Sequence, residues 1–217
     1  MSALLLPALP ARSAEQLQLA LDHVIELTLS KATPPARQPV TDPLAAHQPG
    51  LRGPRQLEGR LPSRGALRQG GEALVRAPGS AAARVQRALI ECAVLVAAAD
   101  RLADEERSAL ERLLAHLTGQ QDLTALLLSL EQELAQAGAA ARLELLAASI
   151  VSFELREQAL SFAALTAIAD RELSEAEGDR LIDLGASFGF GVGEVQRVID
   201  RVAGALAEAL SAPQLGA

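Results

Sequence analysis

The chain has no tryptophan, no tyrosine and four phenylalanines in 217 residues. That scarcity removes the aromatic platforms on which single-stranded nucleic acid stacks. A net charge of −7 adds repulsion from polyanions and acidic membrane surfaces, so nucleic acid is not an expected partner. Cysteine is almost missing: Cys92 stands alone, which excludes an intrachain disulfide and a thiolate zinc cage. It lies in the apolar run IECAVLV, where a buried small hydrophobe is expected rather than a nucleophile. No apolar run approaches the ~20 residues needed to span a bilayer. The opening MSALLLPALPARSA carries no basic residue before its short apolar part, which Pro7 breaks; it lacks the make-up of a secretory leader. A cytoplasmic protein is expected.

Proline is missing from one long stretch. Ten of the eleven prolines fall at or before Pro78 and the last is Pro213. A proline-free frame is what helices require, since proline removes a backbone donor and clashes in a helix interior. Alternating Val/Ile/Thr runs and Asn-Gly or Asp-Gly turns are also lacking there, which argues against strands. An all-α fold is therefore expected, a compact bundle of about seven helices with an internal duplication.

What is present fits that frame. Apolar residues make up 49% of the chain, enough for a core built mainly from Ala, Leu, Val and Ile. The 3.6-residue period predicts helices over 81–99, 104–117, 122–136, 139–151, 155–169, 175–188 and 194–210. Charge divides at the same boundary as proline: residues 1–80 carry +3 and residues 81–217 carry −10. Three regions follow. Residues 1–32 contain an amphipathic helix at 13–32, opened by the S-x-x-Q cap of Ser13 and Gln16, with Leu17, Leu21, Val24, Ile25 and Leu29 on one face. Residues 33–79 are rich in Pro, Gly and Arg without period and read as a flexible linker. Residues 80–212 form the helical domain.

Within the domain one phrase occurs twice, as VLVAAADRLADEERSAL at 94–110 and LTAIADRELSEAEGDRL at 165–181. An offset of 70 superposes Leu95 on Leu165, Asp100 on Asp170 and Arg101 on Arg171. An offset of 71 then matches Glu106 to Glu177, Leu110 to Leu181 and Leu117 to Phe188. Two similar helical hairpins packed face to face would produce this pattern. Ser174 to Glu177 is a capping box, and acids follow Asp104 where a helix N-terminus is partially positive. Asp100 and Asp170 instead sit at helix C-termini, where the dipole disfavours negative charge. Each needs a compensating partner: the adjoining arginine, a neighbouring helix N-terminus, or a bound cation.

AAADRLADEE and AIADRELSEAE resemble the paired Ala-x-Ala-Asp-Gly-x-apolar-Ser-x-x-Glu signatures of the TerB-like domain of tellurite-resistance proteins, over about residues 81–212. The resemblance implies a bundle of about seven helices with an internal duplication. It implies a role in resistance to tellurite and other chemical stress, and protein partners that include membrane-associated assemblies. It also implies a divalent cation, Ca²⁺ or Mg²⁺, held by Asp100, Glu106, Asp170 and Glu177. Carboxylate-only ligation suits such hard cations rather than zinc. The chain departs from the signature at one position: its glycine is Arg101 in one copy and Arg171 in the other. Arginine resists the left-handed backbone that glycine adopts freely, and it sets a positive charge beside the proposed ligand. Salt-bridged aspartates without metal remain the alternative.

No catalytic constellation emerges. His23, His47 and His116 belong to no metal or dyad pattern. GFGVG at 189–193 lacks the strand and the lysine that give nucleotide loops their meaning. Neither copy of the repeat fits the EF-hand loop. A non-enzymatic interaction or sensing module is expected. The alternative is a ligand-free structural adaptor whose helix 13–32 recruits a partner's groove.

Overall fold

The computed structural model describes residues 4–10, 13, 16, 17, 19–21, 23, 24, 81–100, 107, 110, 111, 114, 115, 124–169 and 171–211. Among these the chain is mostly helical, with no strand. Six continuous helices are α1 (Ala81–Ala97), α2 (Thr124–Ala137), α3 (Ala139–Ser149), α4 (Phe153–Ala167), α5 (Glu175–Ser187) and α6 (Val192–Ser211). Residues 107, 110, 111, 114 and 115 are helical as well, with Leu110 and Leu114 buried, where the period predicts a helix. The all-α expectation holds. No helix among the described residues is long and apolar enough to cross a membrane.

Two helices make the centre. Every residue from Ala88 to Ala97 in α1 is buried, and α4 buries Leu155, Gln158 to Ser161 and Ala163 to Ala167. A helix that is apolar on nearly all sides belongs in an interior, and α1 and α4 make their most extensive contact with each other. Alanines at 88, 93, 159, 163 and 164 keep both surfaces low and let the backbones approach. α5 and α6 pack on this pair with narrower apolar stripes. In α6 the stripe is Val195, Val198, Ile199, Val202, Ala203, Leu206 and Leu210, a spacing of three and four that puts them on one face. Full burial of each Val, Ile or Leu of the stripe stabilises the fold by roughly 1.5–3 kcal/mol.

Helix ends follow their caps. α4 begins at Phe153 rather than 155 because Ser152 is the cap, its Oγ accepting the Leu155 N–H at 3.4 Å. α5 begins at Glu175 under the expected capping box: Ser174 Oγ accepts from Glu177 N–H at 3.2 Å, and Glu177 Oε2 accepts from Ser174 N–H at 3.0 Å. α6 begins at Val192, two residues before its expected start. Gly191 caps it, and Glu194 reaches back to accept the Gly191 N–H at 2.8 Å. Within α5, Gly185 has no side chain because Val195 of α6 occupies the space a Cβ would need.

The described residues between 4 and 24 join the same core. Ala20 and Val24 are 3% and 0% exposed, and Leu4, Leu6, Leu9, Leu17 and Leu21 pack against the cluster. The linker expected over 33–79 lies outside the described residues.

Candidate functional site

The corner between α4 and α5 is the second copy of the repeated phrase. Its apolar half is interior: Leu165, Ala167, Ile168 and Ala169 are all buried. The chain then closes a turn, with Ala169 N–H donating to Thr166 O at 3.2 Å and Arg171 N–H donating to Ile168 O at 2.9 Å. Arg171 adopts φ +74°, the left-handed region, and is the one non-glycine residue to do so among those described. Leu173 returns to pack on the core, and Ser174 starts α5.

The four expected cation ligands divide by location. Asp100 is exposed, three residues beyond the last residue of α1. The end of α1 tightens there, with Ala98 N–H bonded to Val94 O and Ala99 N–H to Val96 O at 2.9 and 3.0 Å. Glu177 is 8% exposed, and its carboxylate closes the α5 capping box. Glu106 and Asp170 lie outside the described residues. Among the described residues no group of three or more His, Cys, Asp or Glu side chains is placed to hold a metal ion.

Arg171 makes the departure from the glycine signature a measurable strain. A non-glycine residue in left-handed backbone costs about 1–2 kcal/mol, against the 0.5–1 kcal/mol of extra unfolded-state freedom that glycine brings. Strain is the larger quantity. Arg171→Gly is therefore expected to raise the melting midpoint by ~1–3 °C, measured by circular dichroism; an unchanged or lower midpoint would show that the arginine side chain more than offsets its backbone.

Two polar arrangements have no counterpart in the sequence reading. At the junction of α1, α2 and α3, Glu91 accepts from Arg142 Nε at 2.6 Å and also pairs with Arg142 Nη2. Arg142 reaches on to Glu133 at 3.3 Å, and Arg87 meets the same carboxylate at 2.5 Å. Burial pushes the Glu91 carboxyl above the ordinary carboxylate range even though Arg142 and Arg87 pull it down. The hydrogen bond from Arg87 holds Glu133 below that range. Cys92, 0% exposed, has its thiol pushed up by burial and by the neighbouring Glu91 carboxylate, so it offers no thiolate. The lone signal in the sequence was a glutamate inside the apolar run IECAVLV.

The second arrangement is built on Arg156 of α4. Its Nε donates to Ile150 O at 2.6 Å, Nη2 to Ala147 O at 3.0 Å and Nη1 to Phe188 O at 3.1 Å. These carbonyls end α3 and α5, where helix C-termini present unsatisfied acceptors and partial negative charge. One guanidinium thus joins three helices. Nearby, Phe153 and Phe190 meet with centroids 5.1 Å apart, and Phe153 is 59% exposed.

Comparison with known protein families, curated proteins and solved structures finds no match to this chain.

Proposed function

We propose that the chain is a TerB-like, non-enzymatic stress-response module of the tellurite-resistance type, acting in the cytoplasm as a protein-interaction or sensing domain. The observation that carries this reading is the backbone of Arg171. At the position where the resembled signature has glycine, the chain adopts the conformation that glycine serves, although its own residue is an arginine. A corner retained against the preference of its side chain is what a divergent member of that family would display. The most extensive contact, between α1 and α4, also suits two duplicated hairpins packed on each other, since each helix opens one copy of the repeat.

In this reading a divalent cation is held by carboxylates alone, with Asp100, Glu106, Asp170 and Glu177 as its ligands. Asp100 offers an exposed carboxylate of the right chemistry, whereas Glu177 brings one already bonded to Ser174 N–H. Thermal melts test the idea. Millimolar Ca²⁺ or Mg²⁺ is expected to raise the midpoint, because a ligand at 100 times its Kd adds ~2.7 kcal/mol. Replacing Asp100 and Asp170 together by asparagine is expected to abolish the rise. If neither ion shifts the parent protein, the cation assignment fails. The adaptor alternative draws less support, since Ala20 and Val24 of its recruiting helix are covered by the chain's own core.

A further inference from the structure

Segment 4–10 lies against the bundle without helix, and its contacts are those of a bound peptide. Leu4 and Leu6 are half-buried against the core while Leu5 between them is 73% exposed, the two-residue alternation of an extended chain. The backbone of Leu5 is held from both sides by one side chain. Its N–H donates to Gln196 Oε1 at 3.0 Å, and its C=O accepts from Gln196 Nε2 at 2.8 Å. The amide of Gln196 is oriented by Asp200, whose Oδ1 accepts from Nε2 at 2.7 Å; a carboxylate only accepts, so the nitrogen must face it. On the opposite wall Gly178 of α5 is buried, and a Cβ there would lie 3.9 Å from the Leu4 side chain. The site therefore reads an extended backbone through Gln196 and apolar side chains at alternate positions. Pro7 and Pro10 keep the segment from joining a helix.

We propose that this α5–α6 surface is a docking site for an extended Leu-x-Leu-Pro peptide of a partner protein, with segment 4–10 as its built-in competitor. The proposal is independent of cation binding. Among the described residues the segment is held by the two bonds to Gln196 and by half-buried Leu4, Leu6, Leu9 and Pro10, a set of contacts that an outside peptide can replace. Tethering gives the resident segment a high effective concentration and keeps the site closed to weak competitors.

The test uses the full chain and a fluorescent peptide of residues 4–10, LLLPALP, with a Lys-Lys tail for solubility. Leu5→Pro deletes the donor to Gln196 while touching a side chain that faces solvent. In anisotropy titrations this variant is expected to bind the peptide roughly five- to tenfold more tightly than the parent, the equivalent of one hydrogen bond lost by the competitor. Adding Gln196→Ala to it is expected to undo the gain. Equal affinity in parent and variant, binding indifferent to Gln196→Ala, or no binding at all overturns the proposal. A second measurement needs no variant: millimolar unlabelled peptide is expected to accelerate amide hydrogen exchange at Leu5 of the parent severalfold, and unchanged exchange overturns it as well.

Discussion

Arg156→Met is expected to lower unfolding free energy by about 2–4 kcal/mol, and the midpoint by ~5–12 °C. The substitution keeps an unbranched apolar stem but leaves the carbonyls of Ala147, Ile150 and Phe188 without their donor. Charge-assisted bonds contribute about 1.5–3 kcal/mol each when a partner is removed. The sum of three overstates the effect, because a half-buried site lets water reach some of the vacated acceptors. Arg156→Lys is expected to fall between the two, since an ammonium cannot reproduce the planar fork. The guanidinium also sits 5.8 Å from the centroid of the Phe188 ring, a contact methionine replaces only in part. Guanidinium chloride unfolding decides the matter; a loss below about 1 kcal/mol would mean that solvent serves these helix ends as well as Arg156 does.

Arg142→Met is expected to lower stability by about 3 kcal/mol at neutral pH. The reason is the group left behind, since Glu91 is 9% exposed and loses its nearest cation. A pair made apolar on both sides, Arg142→Met with Glu91→Met, is expected to recover most of that loss, because desolvation of the charge disappears with the charge. The pH dependence carries a definite sign. Glu91 in the folded protein lies above its ordinary value of 4.5, for burial first and despite Arg142. A raised carboxyl gives stability that is fully present below the unfolded value and lost as pH rises through the folded one. Removing Arg142 raises the folded value further, so the penalty of Arg142→Met is expected to shrink from pH 7 toward pH 4.5. Glu133 runs the other way: its lowered value supports the fold above 4.5 and is lost on acidification. Melts of parent and variant across that range separate the two, and a penalty independent of pH would remove Glu91 from the explanation.

What could be read in advance was local. The missing prolines and the 3.6 period marked the helices to within about two residues, because both act through neighbours on the same turn. The box at Ser174 and Glu177 was legible for the same reason, as its two bonds span three residues. Cys92 was placed in the interior by the run around it. Arg156 could not be found this way: its acceptors lie at the ends of two other helices, and nothing in REQAL marks an arginine that closes them. Glu91 and Arg142 are 51 positions apart, beyond any local pattern. For residues 13–24 the apolar face was visible but its partner was not, and the partner is the bundle itself. At the site, the positions of Asp100 and Glu177 at helix ends were legible; the left-handed backbone of Arg171 was not, because arginine resists that conformation.

The pairing of α1 with α4 also constrains how the molecule comes together. Some seventy positions separate equivalent points on the two helices, so the hydrophobic reward for docking them arrives only after a long loop has closed. Until then the apolar faces that α1 and α4 turn to each other stay exposed to water. Neither half is expected to fold alone, and the chain is expected to melt in one cooperative step whichever spectroscopic probe follows it.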